Sequence, residues 1–290
     1  MRRRNVTLIA GAILTAALLL VVVGGNFAWP FSPTEIGAGD RLDAPALAHP
    51  LGTDHMGRDV FARVLDGAGT TLFVALGAVL IGSVGGLFVG AVAGYFGGWP
   101  DEIVMRITDG LTAFPSVLLA LVAVSLTGSG MWNVVWILGL LFIPSFARVA
   151  RGEFVRLRNL DYVKRARVMG ASNGRIMRVH ILPNALPVFL STVAIGFNNA
   201  VLAEASMSFL GLGVQQPQVS LGRILADSQA HLFSAPWVAL SAGAAVVLLV
   251  FAFSMLSDGL QAGRRGGANA FRHLPIENEE WKMENEGRGQ

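Results

Sequence analysis

Six long apolar runs constrain this chain more strongly than any other feature of its sequence. A helix needs about 20 predominantly apolar residues to cross the hydrocarbon core of a bilayer. Only 14% of the 290 residues are charged, whereas 53% are hydrophobic. The pattern predicts an all-α integral membrane protein with six transmembrane helices. We place these helices at Leu8–Phe27, Thr71–Gly94, Ile103–Leu126, Trp132–Ala150, Leu186–Phe209 and Ala235–Leu256.

The first and third runs are the least regular. The first follows the basic sequence MRRR and could be taken for a secretory signal. Its apolar core, Val6 to Gly25, is longer than the roughly 7–15 residues typical of a signal sequence, so we expect an uncleaved membrane anchor within residues 1–28. The third run contains Arg106, Asp109 and Pro115.

The charged residues predict the orientation of the chain. With six spans and an internal N-terminus, the proposed outer segments hold four basic residues, and the other eighteen of the 22 lysines and arginines fall on the inner side. Cytoplasmic loops of membrane proteins carry such an excess of positive charge. We therefore expect both termini in the cytoplasm, and we read the basic character as a topology signal, with no nucleic acid as partner.

Residues 29–70 are predicted to form an extracytoplasmic segment. Its side chains His49, Asp54, His55 and Asp59 could suggest a metal site, but their spacing fits no established metal motif. We expect no metal here; solvated loop residues or residues that dock a receptor are the alternatives. The sequence Val60–Leu65 predicts a short amphipathic helix on the outer surface.

A basic loop, about residues 148–184, separates the fourth and fifth spans. From Arg148 to Arg178 it holds nine basic residues and two acidic ones. Val163, Ala166 and Gly170 share one helical face, and the glycine-rich stretch 170–174 predicts a turn. We expect two short helices joined by a turn on the membrane surface. Contact with anionic lipid headgroups is one interpretation; the small residues on one face favour docking of a cytoplasmic partner.

Two spans carry further candidate functional residues. Small residues recur every four positions in the second span and predict close packing of a helix, either within this chain or on another. In the fifth span, Asn198, Asn199 and Glu204 are candidates for the transport pathway or an outer gate; a structural hydrogen-bonding role for Glu204 is the alternative. The small residues are Ala78, Gly82, Gly86, Gly90 and Gly94.

The basic loop resembles a known family signature. The stretch KRARVMGASNGRIMRVHILPNALP is similar to the EAA loop of the membrane subunits of bacterial ABC importers. Ala166 and Gly170 match that pattern, as does the Leu-Pro pair, whereas Lys164 and Arg165 stand where the family has Glu and Ala. The resemblance implies an ATPase-coupling loop, whose residues here are Tyr162, Lys164, Arg165, Ala166, Met169, Gly170, Ala171, Leu182 and Pro183.

Three more stretches resemble the dipeptide, oligopeptide and nickel branch of this family: His49–Leu72, Glu204–Pro217 and Leu256–Gly263. The resemblance implies a type I ABC importer permease fold in the bacterial inner membrane, with residues 71–263 as its transmembrane core. It also implies four kinds of neighbour, namely the lipid bilayer, a second homologous permease subunit, two cytoplasmic ATPases and an extracytoplasmic binding protein. The implied substrate is a small peptide or a related solute.

The chain itself lacks the means to hydrolyse ATP. It contains no G-x-x-x-x-G-K-[ST] motif and no Gly-Lys pair, so it cannot build a P-loop phosphate cradle. We expect no cofactor in this chain, with ATP and Mg²⁺ bound by the partner ATPases. An ion-gradient-driven transporter is the alternative. Residues 264–290 are predicted to form a disordered cytoplasmic tail.

Overall fold

A computed structural model describes residues 2–272, which fold into helices and connecting loops. Five helices are long and apolar enough to cross a membrane, and a sixth span results if the bent pair α3 and α4 counts as one. The predicted fold class is thereby confirmed. The helices are α1 (Arg2–Ala28), α2 (Val60–Phe96), α3 (Gly98–Thr112), α4 (Ser116–Thr127), α5 (Met131–Arg158), α6 (Asp161–Val168), α7 (Asn173–Arg175), α8 (Leu182–Phe209), α9 (Leu221–Ser228) and α10 (Pro236–Arg272).

Helix α2 is longer than its membrane-spanning run. It begins after Asp59, whose carboxylate accepts a hydrogen bond from the Ala62 N–H, and it continues for 37 residues. At about 1.5 Å per residue, it extends beyond a hydrocarbon core of about 30 Å. The predicted short amphipathic helix at 60–65 is therefore wrong. These residues form the first turns of α2, where Val60 and Leu65 are buried, because no proline interrupts the helix between them and the membrane-spanning run.

The small residues of α2 pack against α5 of the same chain. A Cβ atom added at Gly86 would meet Phe146 and the backbone of Ile143 and Ala147, and one added at Gly94 would meet the Arg151 carbonyl and Phe154. Gly82 and Gly90 make equally close contacts with α5, and Ala78 is fully buried. The partner helix, which the sequence left open, is thus internal.

The third predicted span is broken. Helices α3 and α4 meet at an angle of 86° across residues 113–115. Pro115 disfavours helical backbone at the residue before it, which explains the break. Two ion pairs connect α3 to α5: Arg151 bonds to both carboxylate oxygens of Asp101 at 2.5 and 2.7 Å, and Arg148 to Asp109 at 3.0 Å.

The terminal helices pack on one another. A Cβ atom at Gly11 would meet the backbone of Met255 and Leu256, and one at Gly259 would meet Leu8. Helix α10 continues to Arg272. The start of the predicted disordered tail is therefore helical, and residues 273–290 lie outside the described residues.

Candidate functional site

Helix α6 ends in a tight turn that requires glycine. The Gly170 N–H donates to the Arg167 carbonyl at 3.0 Å, and the Ala171 N–H donates to the Ala166 carbonyl at 3.1 Å. These two bonds form a Schellman motif, whose C′ residue adopts left-handed backbone angles. Gly170 has φ +82°, and an added Cβ atom there would meet nothing within 4 Å. Backbone conformation, and not lack of space, therefore demands glycine at this position.

The inner face of α6 is part of a small hydrophobic core. Val163 and Ala166 are 0% and 3% exposed, and they pack with Phe154, Ile176 and Ile181. The prediction that Ala166 lies on an exposed docking face is therefore wrong for this residue. Most of the other side chains of this short helix are charged, and Val163 and Ala166 are the two that face α5 and the start of α8.

The segment after the turn continues into the next span. Helix α7 passes through a π-helical stretch, Ile176–Ile181, directly into α8. The second of the two predicted short helices is thus the extended end of a transmembrane helix. Hydrogen bonds connect this unit to its neighbours: the Tyr95 hydroxyl bonds to Asn173 Oδ1 at 2.7 Å, and the Tyr162 hydroxyl to the His180 carbonyl at 3.2 Å.

The outward surface around the turn combines apolar and cationic groups. Val168 and Met169 are 88% and 82% exposed. Within the described residues, the side chains of Arg165, Arg175 and Arg178 have no hydrogen-bonding or ion-pairing partner. We call these five residues the coupling surface. Of the predicted coupling loop, the structure turns Ala166, Ala171 and Leu182 towards the core and leaves Tyr162, Lys164, Arg165, Met169, Gly170 and Pro183 exposed.

A groove of about 590 Å³ lies between the α3–α4 break, α5 and α8. Hydroxyl and amide groups line it on a largely apolar wall. Helix α8 contributes a stripe of small and polar side chains to the groove. These residues are alternately four and three positions apart, so they lie on one face of the helix. The stripe consists of Thr192, Gly196, Asn199, Ala203 and Ser206, and the other polar lining residues are Thr112, Ser116 and Ser145.

Only one member of this stripe, Asn199, is among the residues predicted from the sequence. Asn199 was a pathway candidate, but the small and polar residues three and four positions away were not recognised as its neighbours on the helix face. The alternation of Thr, Gly, Asn, Ala and Ser at heptad-like spacing is a signal that could have revealed the whole stripe.

The three candidate pathway residues point in different directions. Asn199 lines the groove. The Asn198 amide donates to Ser254 Oγ of α10 at 2.7 Å. Glu204 is 0% exposed and lies inside the chain. The structure does not bring these residues together, and the geometry of Glu204 favours the structural alternative over an outer gate.

Comparison with known proteins identifies the family. The model of the family described as "Binding-protein-dependent transport system inner membrane component" matches residues 86–265. The chain belongs to this family. It is 36% identical over 259 residues to the dipeptide transport system permease protein DppC of Alkalihalophilus pseudofirmus, covering 89% of this chain and 85% of that relative. It is 41% identical over 261 residues to the glutathione transport system permease protein GsiD of Salmonella typhimurium, covering 90% and 86%.

The fold agrees with this assignment. A chain of the MetNI methionine ABC transporter in an inward-facing conformation matches with a TM-score of 0.58 at 21% identity, over 69% of this chain and 95% of that chain. The protein is an ABC importer permease and a multi-pass protein of the inner membrane, as the sequence predicted. The alternative of an ion-gradient-driven transporter has no support in these matches.

In this permease, Glu204 joins three segments. Its carboxylate oxygens accept hydrogen bonds from Thr71 Oγ1 of α2 at 2.8 Å and from Ser208 Oγ at 2.6 Å. Both hydroxyls are themselves acceptors, of the Leu221 N–H at 3.3 Å and of the Val214 N–H at 3.1 Å. The carboxylate therefore holds α2, the end of α8 and the start of α9 together.

Replacing Glu204 by glutamine is expected to destabilise the permease. The glutamine NH₂ group is a donor, and it would face the Thr71 or the Ser208 hydroxyl, which also donates towards this position. One buried hydrogen bond would then be lost, at a cost of about 1–3 kcal/mol. Thermal unfolding of purified protein measures the loss. The matched control is Ser206→Ala on the same helix, since the exposed Ser206 hydroxyl bonds, among the described residues, only to the Leu202 carbonyl of its own helix. Equal stability of the two variants would contradict the joining role.

A buried ion network stabilises the opposite end of the permease from α6. Asp54 Oδ2 accepts from Arg58 Nε at 2.7 Å and from Arg63 at 2.9 Å, and Arg63 also reaches Asp227 at 3.2 Å. Burial by itself raises the pKa of Asp54, but Arg63, the N–H groups of Met56 and Arg58 and the Arg58 charge together hold this pKa below its ordinary value. The network connects the loop before α2 to α9.

The candidate metal residues are engaged in this part of the fold. His49 Nδ1 lies 2.7 Å from Asp59 Oδ2, and the other carboxylate oxygen of Asp59 accepts from Trp29 and from the Ala62 N–H. His55 stacks on His231 with ring centroids 5.5 Å apart. In the part of the chain that the structure describes, no group of three or more His, Cys, Asp or Glu side chains could hold a metal ion.

Proposed function

We propose that this permease imports small peptides across the inner membrane, driven by ATP hydrolysis on two cytoplasmic ATPase subunits, one of which binds the coupling surface. A second, homologous permease subunit completes the transmembrane path, and an extracytoplasmic binding protein delivers the peptide. The names of the relatives support the substrate class, since one is a dipeptide permease and another a glutathione permease.

The orientation follows from charge. The α6 end of the bundle carries the nine basic and two acidic residues of 148–178, and positively charged loops remain in the cytoplasm. We therefore assign α6 and both termini to the cytoplasm. The opposite end, with residues 29–59 and the α8–α9 connection, then faces the binding protein.

The exposed pair Val168 and Met169 carries the coupling assignment. Two large apolar side chains at the tip of a rigid turn, each more than four-fifths exposed, are suited to insert into a pocket of a partner. The Schellman motif and the small core below α6 keep the tip in one position. A force applied there passes directly to α5 and α8, which both line the groove.

The charges around the tip indicate the chemistry of the partner pocket. Arg165, Arg175 and Arg178 lack partners within the described residues, and a complementary surface would present carboxylates. Lys164 and Arg165 stand where the family pattern has Glu and Ala. We therefore propose that the ATPase of this system carries acidic side chains at the edge of the pocket, at the place where the ATPases of related importers contact a glutamate.

Reversing the charge of Arg165 tests the coupling role. In the complete importer reconstituted with its ATPases and binding protein, Arg165→Glu is expected to reduce peptide-stimulated ATP hydrolysis and uptake of a labelled dipeptide about tenfold or more, because it replaces attraction by repulsion at the interface. Met169→Ser is expected to act in the same direction, since it removes an apolar contact. Both residues are exposed, so the permease itself should remain folded.

The control is Arg156→Glu in the same basic region. Arg156 is exposed and pairs with Glu153 on its own helix, away from the tip, and its reversal is expected to leave coupling intact. If Arg165→Glu and Met169→Ser retained ATPase subunits and full stimulated hydrolysis, the coupling surface would be refuted. Loss of binding to anionic lipid alone, with ATPase coupling unchanged, would instead assign this surface to the membrane.

A further inference from the structure

The groove contains no ionisable side chain. Nineteen residues line it, and none is Asp, Glu, Lys, Arg or His. The charges next to it are paired with each other: Arg148 donates to Asp109 and to the hydroxyl of Thr112, a lining residue, at 3.0 Å each. A solute in the groove therefore meets dipoles and apolar surface, without a net charge on this side of the path.

Asn199 is the polar group in the groove with the most free hydrogen-bonding capacity. Its neighbours on the stripe, Thr192 and Ser206, donate to carbonyls one turn back on α8. Asn199 is exposed, and its amide has no hydrogen-bonding partner within the described residues. An amide both donates and accepts, as a peptide group does, so Asn199 can pair with the main chain of a peptide whatever its side chains.

A neutral lining suits a substrate class whose charge varies. A fixed charge in the groove would attract one sign of solute and repel the other, which would exclude many peptides. We propose that the groove passes peptides irrespective of their net charge, and that Asn199 contacts their main-chain amides. In this permease subunit, Asn199 then selects for the peptide backbone and not for the charge of the side chains. This inference rests on the proposed function and narrows it to peptides of mixed sequence.

Three tripeptides with one backbone test the proposal: Ala-Ala-Ala, Ala-Lys-Ala and Ala-Glu-Ala. ATP-dependent uptake is measured in proteoliposomes containing the complete importer and its binding protein. For each peptide, the uptake rate of the variant is divided by the uptake rate of the wild type. In this ratio, the preference of the binding protein for one peptide over another cancels. Asn199→Asp is expected to raise the ratio for Ala-Lys-Ala over that for Ala-Glu-Ala at least about tenfold, and Asn199→Lys is expected to reverse the order.

The matched control is Asn198→Asp, one residue earlier. It introduces the same charge on the same helix, but its side chain faces Ser254 of α10, whose hydroxyl can donate to the new carboxylate. We expect equal ratios for the three peptides in this variant. Equal ratios in Asn199→Asp, or the same charge preference in Asn198→Asp, would overturn the contact role of Asn199. The wild-type rates test the proposed function separately from the variant ratios. If the wild type took up none of the three peptides in an ATP-dependent manner, the proposed function itself would be refuted.

Discussion

Replacing Gly90 by leucine is expected to abolish the folded permease. A Cβ atom at this position would contact the Ala147 carbonyl, lie 2.8 Å from the Ala150 Cβ and lie 2.9 Å from the Arg151 backbone nitrogen. Backbone atoms of α5 cannot move aside as a side chain can, so α2 and α5 would have to separate. Overpacking a well-packed site costs about 1–3 kcal/mol, and a backbone clash should exceed that range. The amount of monodisperse protein after size-exclusion chromatography measures the effect.

Gly152→Leu is the matched control for this prediction. Gly152 lies in α5, the helix that packs against Gly90, but an added Cβ atom at Gly152 meets nothing within 4 Å. Both substitutions add the same apolar side chain and relieve the same helix-propensity cost of glycine. The Gly152 variant should therefore be produced like the wild type. Similar yields for the Gly90 and Gly152 variants would show that the α2–α5 contact is not close.

Replacing Asp54 by alanine is expected to have the second large effect. Arg58 and Arg63 are 7% and 3% exposed, and Asp54 is the acceptor that both share. Removing one partner of a buried ion pair costs about 3–5 kcal/mol, because the remaining charge stays buried without compensation. Thermal unfolding in detergent measures the loss. Asp43→Ala is the control, since Asp43 is exposed in the same loop, and it should leave stability nearly unchanged.

The pH dependence of this network has a definite sign. Because the pKa of folded Asp54 lies below its ordinary value of 3.8, the unfolded chain binds more protons between the two values, and stability there rises with pH. The contribution of Asp54 is complete above the ordinary value and is lost as the pH falls through the lowered one. The difference in unfolding temperature between wild type and Asp54→Asn should thus be constant at neutral pH and shrink only in strong acid. A difference that already declined near neutrality would contradict the charged network.

The two ends of the permease have contrasting constructions. At the end with the ion network, Asp54, Arg63 and Glu204 hold the loops on α2, α8 and α9 through buried charged and polar groups. At the α6 end, the cationic side chains Arg165, Arg175 and Arg178 are left free on the surface. Buried charges that are paired with each other make a stable framework, whereas unpaired surface charges are available for a partner.

Local patterns accounted for much of the fold. The apolar runs predicted five of the spans to within a few residues of their cores, and the glycine at 170 predicted the turn that the Schellman motif now explains. These features depend on short-range chemistry, namely hydrophobic length and the backbone freedom of one residue. The 86° break between α3 and α4 was signalled only by Pro115 and by the polar residues before it, and its angle was not predictable.

Predictions that concerned side-chain direction were less successful. Ala166 is buried although an exposed docking face was expected, Glu204 could have been a gate or a structural residue and is enclosed, and Val60–Leu65 begin α2 instead of a separate surface helix. For Ala166 and Glu204, the residues packed against the side chain decide the outcome, and they belong to other segments of the chain: Ile176 and Phe154 for Ala166, and Thr71 for Glu204.

The order of the residues alone is enough to predict that this protein spans the membrane, which loop carries the positive charge, which position needs glycine, and which transporter family the chain resembles. Each of these depends on composition, hydrophobic length or a local backbone requirement. Three features required the folded chain: α5 packs on the glycines of α2, Asn199 and not Asn198 faces the groove, and Val168 and Met169 form the exposed tip. A helix presents residues on all sides, and which side is covered depends on helices brought together from remote parts of the chain.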